Sequence, residues 1–124
     1  MKLRTFLMVV AVVALLYGLG LLLFTGFMAK TYGLGTTDSE ILLGRFFGVA
    51  MLTLGLITWL SKDLTGASVK PLILGSLIGD LVGAVVALMG TLGGPMNAAG
   101  WSSFGLYLVF ALGFAYFQFM APSK

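Results

Sequence analysis

The sequence has no cysteine and no histidine. Their absence excludes disulfide scaffolds, thiolate metal sites, haem held through imidazole and Cys/His catalysis. No metal and no cofactor is therefore expected. Charge is scarce as well: 9% of the 124 residues are Asp, Glu, Lys or Arg, against about 25% in an ordinary soluble domain. Such a chain cannot cover a water-facing surface with polar groups. Nor is there a nucleophile with a base beside it, a pair of catalytic carboxylates or a phosphate loop. An enzyme is not expected.

What the chain does have is apolar length. It is 60% hydrophobic, with a mean hydropathy of +1.11, and is long enough for one domain. Crossing a bilayer takes roughly 20 mostly apolar residues. Four runs qualify, over about 5–28, 40–60, 70–90 and 100–120. They are too continuous to alternate as barrel strands would. The loops between them are short, so consecutive helices should be antiparallel neighbours. The expected fold class is an all-α integral membrane protein, an up-down-up-down bundle of four transmembrane helices. The first run is longer than the core of a signal peptide and ends at no small-residue cleavage site, so it reads as a retained span.

Local signals mark the helix starts. Thr37-x-x-Glu40 has the spacing of a capping box for the second span. Pro71 suits the first turn of the third, where its missing N–H costs nothing. If the spans alternate, Lys2, Arg4, Lys62, Lys70 and Lys124 share one side, and Lys30 lies on the other. The positive-inside rule then places both termini in the cytoplasm. Trp59 and Trp101 fall where aromatic belts form.

Small residues recur every fourth position. The third span carries Gly75, Gly79, Gly83 and Ala87, the second carries Gly44 and Gly48, and the first carries Ala14 and Gly18. That spacing lines up one helix face. In lipid, small residues promote helix association by letting backbones come close. The contact is either internal packing or a seam between copies.

Two ionisable residues lie within the spans, Arg45 and Asp80. A charge there costs at least about 2.5–3.5 kcal/mol and usually faces a partner or a wet cavity. At about 1.5 Å per residue, Asp80 and Tyr17 lie about 15 Å below the outer end of their spans. Arg45 and Tyr107 lie about 8–10 Å down. Ser76 shares the Asp80 face, one turn inward. The expectation is that Tyr17, Arg45, Ser76, Asp80 and Tyr107 line one outward-opening polar cavity. Arg45 and Asp80 either pair directly or are bridged by water, a Tyr hydroxyl or a ligand. The plainer alternatives are an Arg45 that snorkels to headgroups or pairs with Glu40, an Asp80 that pins helix register, and tyrosines that only pack.

Two functions follow. In one, the cavity binds or transports a small amphipathic molecule, lipid or ion, with Arg45 attracting an anionic group and Asp80 a cation or proton. Against transport, no span reads as broken or unwound. In the other, the chain is an accessory subunit whose glycine stripe docks a membrane partner or a second copy. The lipid bilayer is an expected partner and nucleic acid is not.

In size, in hydropathy and in the stretches NAAGWSS and ALGFAYF, the chain resembles DoxX-like proteins, small four-helix inner-membrane proteins of bacteria. The resemblance implies the four-span architecture and a bacterial inner membrane. It carries no catalytic motif and transfers no site residue.

Overall fold

The computed structural model describes residues 2–120. Lys124, one of the charges used above to orient the chain, lies outside them. The regular structure among the described residues is all helical, with no strand. The chain divides into two compact units, Met1–Lys62 and Asp63–Lys124. Each unit is a helical hairpin.

The first unit comprises α1 (Leu3–Leu23), α2 (Thr25–Thr31) and α3 (Asp38–Leu60). The apolar run that reads as one helix over 5–28 is thus two. Phe24 leaves the helical region, at φ −128° and ψ 45°. The Thr25 hydroxyl donates to the Leu21 carbonyl, which the Thr25 N–H would take in an unbroken helix. Such a bond bends a helix only slightly, and Thr53, Thr58 and Thr91 make it without a break; Thr25 differs from them in its seat against Gly44 of the same unit. α2 ends at Gly33, whose φ of 74° suits glycine. The Leu34 N–H then returns to the Ala29 carbonyl at 2.8 Å, closing the last turn.

α3 starts on the capping box its sequence predicts. Thr37 Oγ1 accepts the Glu40 N–H at 3.3 Å, and Glu40 Oε1 accepts the Thr37 N–H at 3.2 Å. α1 and α3 run antiparallel, because rising numbers on one meet falling numbers on the other. Leu15 meets Gly55, Gly18 meets Gly48, and Thr25 meets Gly44. Phe6, Leu7, Ala11, Ala14 and Gly18 form the buried face of α1, at the three- and four-residue spacing of one helix side.

The second unit has a short turn at Gly66–Ser68, then α4 (Lys70–Leu92) and α5 (Gly100–Ala115). A wider turn over Tyr116–Met120 continues α5. Pro71 stands in the first turn of α4. Before α5, Asn97 Oδ1 accepts the Ala99 N–H at 2.9 Å. The hairpin is fastened at one end by Lys70, whose Nζ donates to the Phe117 carbonyl at 3.0 Å and the Gln118 carbonyl at 2.9 Å. A cation on the last carbonyls of a helix is favourable for charge and for hydrogen bonding alike. Ile73, Leu77, Ala84 and Ala87 are buried on α4, and Ala111 and Phe114 on α5.

Four helical stretches among the described residues are long and apolar enough to cross a membrane: Leu3–Leu23, Asp38–Leu60, Gly66–Leu92 and Gly100–Met120. They suggest a multi-pass membrane protein. Threonines within them keep their hydroxyls on their own helix. Thr53 donates to Val49 at 2.9 Å, Thr58 to Leu54 at 2.7 Å and Thr91 to Ala87 at 2.7 Å. That arrangement leaves no hydroxyl of theirs to be satisfied by hydrocarbon.

Candidate functional site

Tyr17 and Arg45 belong to the first unit, and Ser76, Asp80 and Tyr107 to the second.

In the first unit, Tyr17 finds a partner that the sequence did not point to. Its hydroxyl lies 3.1 Å from that of Tyr32. A continuous helix would set these residues about 22 Å apart along its axis. The contact exists because the chain turns at Phe24 and α2 folds back toward α1. Met28 follows the same turn and packs near Gly20. Arg45 is on the exposed face of α3. Its neighbour Gly44 leaves room for the buried Thr25: a side-chain carbon there would stand 2.7 Å from Thr25 Cγ2. Arg45 is thereby fixed at the level where α1 gives way to α2.

In the second unit, Asp80 takes the register position between Leu77 and Ala84 on the α4 seam. It is half-buried there. Two fixed points set the level of α5 beside it. Gly83 faces the Tyr107 ring: a side-chain carbon at Gly83 would lie 2.5 Å from Tyr107 Cε1. Lys70 reaches Phe117 and Gln118. Between these two levels, Asp80 lies level with Val109 and Phe110, an apolar stretch. The carboxylate makes no hydrogen bond or ion pair among the described residues. Ser76, one turn away on the same face, makes none either. This sets it apart from Thr53, Thr58 and Thr91, which bond to their own helix. Two neighbouring polar groups on one face of α4 are thus left with their bonding capacity open.

The small residues fall into two sets. Gly18 and Gly48 bring backbones together: a side-chain carbon on Gly18 would lie 2.7 Å from the Leu52 nitrogen and 3.0 Å from the Gly48 oxygen. Gly83 makes room for Tyr107. Gly75 and Gly79 do neither, since a side-chain carbon at either meets no atom of its own hairpin within 4 Å.

Sequence reasoning missed Tyr32 and the Lys70 fastening. Tyr32 sits in a polar stretch that reads as loop. Lys70 meets its partners 47 and 48 residues on, and no local pattern announces that contact. No group of three or more His, Cys, Asp or Glu able to hold a metal occurs among the described residues.

No protein-family model, no curated protein and no solved structure matches this chain. The resemblance to DoxX-like proteins rests on size, hydropathy and the two quoted stretches alone.

Proposed function

We propose that this chain is a multi-pass membrane protein that holds a small amphipathic molecule, lipid or ion through Asp80, and that it performs no catalysis. The observation that carries the reading is the Asp80 carboxylate on the α4 seam, without a hydrogen bond or ion pair among the described residues. An ionisable group kept within a membrane helix marks a ligand, ion or proton site by default. Its chemistry selects the partner: a cation, a proton or the basic end of an amphipathic molecule. Ser76 adds a hydroxyl one turn along. Insertion itself is supported by the apolar side chains left outside each hairpin. Leu16 is 64% exposed, Val86 62% and Leu112 65%, and acyl chains would cover them where water would not.

The setting proposed is a bacterial inner membrane with both termini in the cytoplasm, as the DoxX-like resemblance and the charges of Lys2, Arg4, Lys62 and Lys70 favour. Lys62 supports an interfacial position for its end of α3, with Nζ 4.8 Å from the centre of the Trp59 ring.

Native mass spectrometry of protein released from lipid nanodiscs tests the reading. The wild type is expected to carry a bound small mass that Asp80→Asn loses. A wild type that flies bare, or an Asp80→Asn variant that keeps the same adduct, counts against it.

A second reading is favoured by Gly75 and Gly79. Their open backbone on α4 suits close approach of another helix, as in an accessory subunit or a homo-oligomer. Copy number in the same spectra bears on it.

A further inference from the structure

α1 is long enough to cross the bilayer by itself. Its 21 residues reach about 31 Å, against a hydrocarbon core of about 30 Å. The apolar chain nevertheless continues through Phe24 and α2. We infer that Phe24–Tyr32 lies in the phospholipid interface, with Phe24 and Phe27 among the upper acyl chains and Lys30 at the lipid phosphates. This inference rests on the membrane reading above.

One face of the segment is held by protein. Thr25 is 6% exposed and sits against Gly44. Met28 packs near Gly20, and Tyr32 meets Tyr17. These contacts turn the chain aside and prevent α2 from continuing the line of α1. The opposite face is bare. Phe24 is 64% exposed and Phe27 71%, and Lys30 and Thr31 are exposed beside them.

The occupant follows from what this face joins. Val12, Leu16, Leu19 and Leu23 form an exposed apolar strip along α1 at helical spacing, and the exposed Phe24 follows Leu23 directly in the chain. A surface that acyl chains cover along α1 therefore runs on to the rings of Phe24 and Phe27. It ends at a cation and a hydroxyl. Apolar rings followed within one turn by a lysine fit the boundary between acyl chains and phosphate. Arg45 is exposed at the level where α2 begins, and it too can reach phosphate.

The test places a single tryptophan at chosen depths. In a Trp59→Phe, Trp101→Phe background, Phe27→Trp and Val12→Trp are made separately and reconstituted in phosphatidylcholine vesicles. The lipids are brominated either near the headgroup or near the chain end, so each quenches fluorescence at its own depth. The Phe27→Trp variant should lose more emission to the shallow bromines, and the Val12→Trp variant more to the deep ones. If the Val12→Trp variant is quenched and the Phe27→Trp variant is not, the inference is overturned and α2 is covered by protein, such as a second copy. Stronger quenching of the Phe27→Trp variant by the deep bromines also overturns it, because α2 would then continue across. If neither variant is quenched, the membrane reading itself fails.

Discussion

Asp80→Leu is expected to raise stability while abolishing ligand binding. Most substitutions at a buried polar position remove a bond and destabilise. Here the carboxylate has no hydrogen bond or ion pair to lose among the described residues. Its place between Leu77 and Ala84 on the α4 seam is one that an apolar side chain fills naturally. At the centre of a membrane helix Asp costs about 2.5–3.5 kcal/mol, whereas Leu is favourable by about 0.3–0.6 kcal/mol. The exchange should therefore favour the inserted hairpin by about 3 kcal/mol. Thermal unfolding in a mild detergent gives the sign, and membrane-insertion efficiency of an isolated α4 segment gives the size. A lowered unfolding midpoint would mean that Asp80 holds the fold together through a partner, and that its purpose is structural.

Gly18→Leu is expected to break the first hairpin. Any side chain at Gly18 collides with the backbone of α3, since its first carbon would stand 2.7 Å from the Leu52 nitrogen. Backbone cannot swing aside as a flexible side chain can, so α1 and α3 must separate. Overpacking of this kind costs about 1–3 kcal/mol, and a full Leu at a backbone contact belongs at the upper end. Gly79→Leu is the matched control, because the first side-chain carbon there would meet no atom of its own hairpin within 4 Å. A fall in the unfolding midpoint for Gly18→Leu, with little change for Gly79→Leu, is the expected pair of results. Equal tolerance at both positions would contradict the packing described for α1 and α3. A Gly79→Leu variant that folds but loses a partner or a second copy would point to the accessory reading.

The features that could be read from the sequence are those with local causes. Thr37 and Glu40 bond to each other's backbone across three residues, so their spacing is enough to place the start of α3. Pro71 marks the start of α4 for a reason internal to that turn. Four long apolar runs register as four long apolar helices, because hydropathy depends only on neighbours along the chain. The break at Phe24 has a different origin. Thr25 is a single hydroxyl within an apolar stretch, and such residues usually pass unnoticed in membrane helices. What sets it apart from Thr53, Thr58 and Thr91, which also bond to the carbonyl four residues back, is a recess at Gly44 nineteen positions away. Once the chain turns there, Tyr17 and Tyr32 can meet. No helical periodicity would have paired them.

Asp80 and the glycines show the same limit. A carboxylate in an apolar run stands out, but whether it has a partner depends on residues thirty positions on, at the level of Phe110. Four-residue spacing places Gly75 and Gly79 on one face as surely as it places Gly44 and Gly48. It does not name the neighbour. Thr25 and the α1 backbone use the recesses on α3, while Gly75 and Gly79 are exposed on α4 with nothing of their own hairpin over them.

The central claim is that Asp80 presents an unpaired carboxyl group within the bilayer, and carbodiimide labelling in intact membranes tests it most directly. A lipid-soluble carbodiimide should modify Asp80, as read by mass spectrometry of the α4 peptide, and a water-soluble one should not. Asp38 and Asp63, outside the apolar runs, should show the opposite preference. An Asp80 that resists the lipid-soluble reagent in membranes stripped of small molecules, or that reacts with the water-soluble one as readily as Asp38 does, would contradict the account.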